Sequence, residues 1–80
     1  MAIFRLIADW ETSERAGAGG MYQIESLTMN GKDVTSQVDQ GMHFSGEDNS
    51  DIIQYLAKVF KIPEKAVIFE QVGMEDWPFK

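Results

Sequence analysis

Cysteine is absent from this 80-residue chain. That absence removes disulfides, thiol nucleophiles, thiolate metal sites and iron–sulfur clusters together. Small secreted domains depend on such staples, so a reducing, cytoplasmic compartment is expected. Histidine is nearly absent as well. His43 is the only one, so any Ser–His or imidazole–metal chemistry would have to use that ring. It lies between Met42 and Phe44 with no nucleophile elbow and no second ligand beside it, and reads as a structural or surface residue. Positive charge is scarce: 7 Lys and Arg against 13 Asp and Glu give a net charge of −6. Such a balance opposes direct binding to nucleic-acid phosphates. No apolar run approaches the ~20 residues of a membrane helix. The opening run Met1–Asp9 is too short for an export signal, lacks a basic lead and is cut by Arg5.

What is present suits one folded domain, residues 1–80, with a thin core. Hydrophobic residues make up 44% and charged residues 25%, the balance of a globular chain rather than a disordered one. Residues 2–10 alternate: Phe4, Leu6, Ala8 and Trp10 share one side, Ile3, Arg5, Ile7 and Asp9 the other. A period of two predicts a strand, partly apolar on both sides. Residues 11–20 have no hydrophobic period and end in Gly17-Ala18-Gly19-Gly20, which predicts a flexible loop. Asn30-Gly31 predicts a type I′ hairpin turn inside 21–38, with Met29 facing Lys32 and Leu27 facing Val34. Tyr22 and Ile24 are out of phase with Leu27 and Met29, so a bulge is expected near Glu25–Ser26.

Residues 42–44 fit a brief further strand. Ile52, Ile53, Leu56, Val59 and Phe60 recur at helical spacing and predict a helix over about 50–61. Asp48, Asn49 or Ser50 can cap it and Pro63 stops it. Lys58, Lys61 and Lys65 suit the negative end of its dipole. Residues 66–72 are rich in strand formers and complete the order. The expected fold class is α+β. It has a small three- to four-stranded, mostly antiparallel sheet, order β-β-β-α-β, with one amphipathic helix on one face and a tail at 73–80.

Apparent motifs fail on spacing. The acidic run Glu47-Asp48-Asn49-Ser50-Asp51 lacks the turning glycine and distal glutamate of a calcium loop, and helix capping explains it. Gly17–Gly20 precedes a strand rather than a helix, and no Gly-Lys-Ser/Thr follows, so it is not a phosphate loop. No metal or cofactor is expected. Two features remain as partner-binding candidates. One is an acidic surface made by Asp9, Glu11, Glu14, Glu47, Asp48 and Asp51; the other is the aromatic-acidic tail of Glu75, Asp76, Trp77 and Phe79.

In size, acidity, lack of cysteine and lack of a catalytic motif, the chain resembles small stand-alone proteins of phages and mobile elements, anti-CRISPR proteins among them. The resemblance implies a protein that blocks a host enzyme by binding it. The expected function is therefore a non-enzymatic interaction module, a small regulator or inhibitor of a basic or nucleic-acid-binding protein. The alternatives are a homo-oligomeric assembly subunit pairing through an edge strand, with Met21, Tyr22 and Met29 at the contact, and an enzyme or small-ligand binder using His43 and the 11–20 loop.

Overall fold

The computed structural model describes residues 1–17 and 19–73. The first alternating run forms strand β1 (Ala2–Asp9), and the chain then turns into a short helix α1 (Trp10–Arg15). Strand β2 (Met21–Met29) returns antiparallel along β1, pairing Leu6 with Leu27 and Ile7 with Ser26. The register then skips Glu25, so Ala8 pairs with Ile24: this is the bulge that the phase change demanded. Gln40 secures it, its side-chain amide donating to the Glu25 carbonyl at 3.0 Å.

Asn30 (φ 52°) and Gly31 (φ 83°) make the hairpin turn into β3 (Lys32–Asp33), with Met29 opposite Lys32 as the turn requires. The Val34 amide adds a bond to Leu27 O, and residues Thr35–Gln37 then form a 3-10 turn rather than extending the strand. Strand β4 (Phe44–Ser45) pairs with the start of β2. Helix α2 (Ser50–Phe60) follows. Asp48, not the N-cap residue Asn49, organises its start, accepting from the Ser50 amide (2.8 Å) and hydroxyl (2.6 Å). Lys61 adopts a left-handed conformation (φ 56°) and ends α2 two residues before Pro63.

The last strand, β5 (Val67–Gln71), lies parallel beside β1. The mixed sheet has five strands in the order β3-β2-β1-β5, with β4 attached to β2, one strand more than the upper expectation. The class is α+β with one main helix. Ile52 and Leu56 of α2 lie on Phe4, Leu6, Tyr22, Ile24 and Leu27, all at most 1% exposed. Burying side chains of this size stabilises the fold by about 1.5–3 kcal/mol each.

Two expectations are overturned. Residues 10–15 are helical, not loop, because the Asp9 carboxylate caps them: Oδ1 accepts from the Thr12 amide (3.1 Å) and Oδ2 from the Thr12 hydroxyl (2.7 Å). Tyr22 is fully buried and Met29 packs against the core, so neither is available as an oligomer contact.

Candidate functional site

The cap on Asp9 decides where Trp10 goes. Because the chain turns after β1, the indole leaves the sheet pattern and packs on Tyr22, ring centroids 5.0 Å apart. Tyr22 in turn meets Phe44 at 6.0 Å, and Phe44 meets Tyr55 at 5.2 Å. Trp10 is the outer member of this row and keeps 42% of its surface exposed. Its six-membered ring lies on Gly46, where even a methyl group would stand 2.5 Å from the ring and 2.8 Å from the Gly20 carbonyl. The Gly46 amide donates to that same carbonyl at 2.9 Å. Glycine is required at 46 by this close approach.

This contact joins two segments that are far apart in sequence. Asp9 and Glu11 flank Trp10, Glu14 follows it at i+4 on the same helical side, and Glu47 and Asp48 follow Gly46. The carboxylates differ in availability. Asp9 is engaged by Thr12. Its pKa is lowered, first by the Thr12 hydroxyl and then by the Thr12 amide. Asp48 is held below the usual carboxylate range by the Ser50 hydroxyl and amide. Glu11 pairs with Arg15 one helical turn on. Among the described residues, the Glu14 and Glu47 side chains have neither hydrogen bond nor ion pair and are exposed.

Asp51 stands apart, on the wall of a shallow open cleft of about 330 Å³ lined also by Met42, His43, Phe44, Gln54, Tyr55 and Lys58. Lys58, Lys61 and Lys65 lie toward the other end of α2, about 17 Å from its start at 1.5 Å per residue. Charge along this part of the molecule is therefore segregated, acidic at the α1 end and basic past the helix C-terminus.

His43 makes a contact that its neighbours in sequence do not reveal. Its Nδ1 shares a hydrogen bond of 2.7 Å with Oγ of Ser13, a residue at 0% exposure. The pair fastens α1 to the 38–43 connection. That connection is also held by the Asp39 amide donating to the Tyr55 hydroxyl (2.7 Å) and by Gln23 donating to the Gly41 carbonyl (3.1 Å). A serine with no exposed surface offers a substrate nothing to reach, so the pair is structural. No group of three or more His, Asp or Glu side chains among the described residues is placed to hold a metal ion.

Glu75, Asp76, Trp77 and Phe79 lie outside the described residues. Trp10 escaped the sequence reading because it continued the strand alternation. The signal that would have found it is Asp9 standing three residues before Thr12, a capping pattern that ends the strand. No helix among the described residues is long and apolar enough to cross a membrane. No protein family, curated protein or solved structure matches the chain.

Proposed function

We propose that this chain is a non-enzymatic interaction module, a small acidic regulator or inhibitor that binds a basic protein partner through the acid-rimmed Trp10. The observation that carries this reading is the Trp10–Gly46 contact, which sets a half-exposed indole among carboxylates from two segments. Tryptophan is favoured at binding hot spots, and arginine or lysine over an indole face gains a cation–π term. Carboxylates around it steer a basic surface in and exclude acidic ones. A cytoplasmic setting, and an anti-defence role of the kind served by small phage proteins, fit the same profile.

The test is capture from the native host's lysate at low and high salt, using the wild type and a Glu14→Gln/Glu47→Gln variant. Both carboxylates are unpaired, so the variant keeps its melting temperature. A basic protein is expected on the wild type, released by salt and lost from the variant. Capture that ignores both salt and variant would refute the mechanism.

A further inference from the structure

Strand β5 has β1 on its inner edge and, among the described residues, nothing on its outer one. The parallel register fixes which backbone groups face outward. The Val72 amide donates to the Leu6 carbonyl, so Ile68 and Glu70, in phase with Val72, turn their N–H and C=O toward β1. Val67, Phe69 and Gln71 therefore point theirs away from the sheet. Proteins usually blunt such an edge with lysine, proline or a bulge. Val67–Gln71 contains neither residue, and its register on β1 runs without a shift. Its single charge, Glu70, is already held at 2.6 Å by Arg5.

We propose that β5 pairs antiparallel with β5 of a second copy of this chain, about a two-fold axis at Phe69. A second copy is the occupant because the strand is complementary to itself. With the axis at Phe69, Val67 faces Gln71 of the other copy, and every outward donor meets an outward acceptor. Glu70 comes opposite Ile68 instead of another Glu70, so no like charges meet across the pair. The two half-buried Phe69 rings become a cross-strand pair on the α2 side, where Phe69 already packs on the core. Ile68, 42% exposed, gains a neighbour on the other side. This contact is separate from the Trp10 surface, since β5 and β2 flank β1 on opposite sides. It does not depend on the function proposed above.

Sedimentation equilibrium from micromolar to millimolar protein, at low and high salt, tests it together with amide exchange. The mass should rise from 9.0 kDa to twice that value. Salt should strengthen the pairing, because two copies of charge −6 repel. That is the opposite of the salt response expected for a basic partner, so the two proposals fail separately. Protection of the Val67, Phe69 and Gln71 amides should grow with concentration, while Ile68 and Glu70 stay protected throughout. Gln71→Pro removes an outward N–H and should weaken pairing at least about tenfold. Gln71→Lys, which leaves the backbone intact, should weaken it too. A single-chain mass across the range overturns the proposal. Concentration-independent protection at 67, 69 and 71, or undiminished pairing in both variants, does so as well.

Discussion

The two faces of the sheet come from the same strands and nearly the same residue types, yet they carry different loads. Under α2, Phe4 and Leu6 have no exposed surface; on the far side, their strand neighbour Ile3 keeps 39% and Ile68 keeps 42%. Alternation alone makes both faces of β1 apolar. The helix, through Ile52 and Leu56, decides which becomes the core. Burial, not side-chain type, therefore sets what each position contributes.

Paired truncations sharpen the contrast most. Leu6→Ala should cost about 3 kcal/mol in urea melts, from lost burial and the cavity left behind. Ile68→Ala, at protein concentrations too low for pairing, should cost less than about 1 kcal/mol. Equal costs would mean that the far face is covered in solution.

A smaller effect comes from the core side itself. The Tyr22 hydroxyl is buried with no hydrogen-bond partner among the described residues. Burial pushes its pKa from 10.0 up to about 12. Gln71 opposes the shift without closing a bond of normal geometry, and the Asp51 charge adds to it. Because the folded value is raised, the neutral phenol's contribution is complete below pH 10 and is lost as pH rises toward 12. Stability should fall over that window by about 2–3 kcal/mol. Tyr22→Phe should flatten the slope and, near neutral pH, leave stability equal or slightly higher. A tyrosine that ionises at its ordinary pH in the native state would contradict the burial.

The smallest expected effect lies outside the sheet. Ser13→Ala should lower stability by about 1 kcal/mol, and adding His43→Ala should cost less than the sum of the two single changes. Additive losses in thermal unfolding would show that the two side chains do not act together.

Much of this architecture was legible in the sequence where local chemistry decides it. The spacing of Ile52, Leu56 and Phe60 wrote α2, Asn30-Gly31 wrote the hairpin, and the phase change between Ile24 and Leu27 wrote the bulge at Glu25. Helix α1 was not legible, because six residues without an apolar stripe are held by contacts made elsewhere. Ser13 finds its partner 30 residues away. The carboxylates of the candidate site could be counted in advance. Their grouping around Trp10 could not, since it depends on Gly46 meeting an indole that the strand pattern had assigned to the sheet.

The parallel pairing of β1 with β5 also sets an order of assembly. Arg5 and Glu70 are separated by 65 positions, whereas the β2–β3 turn closes over neighbours. Short loops close first, because a longer loop loses more chain entropy before its contacts form. The β1–β2–β3 meander should therefore assemble early and dock β5 last. Until then the inner strand β1 is itself an open edge, and the half-built meander is the stage at which crowded copies of this chain can cross-pair wrongly.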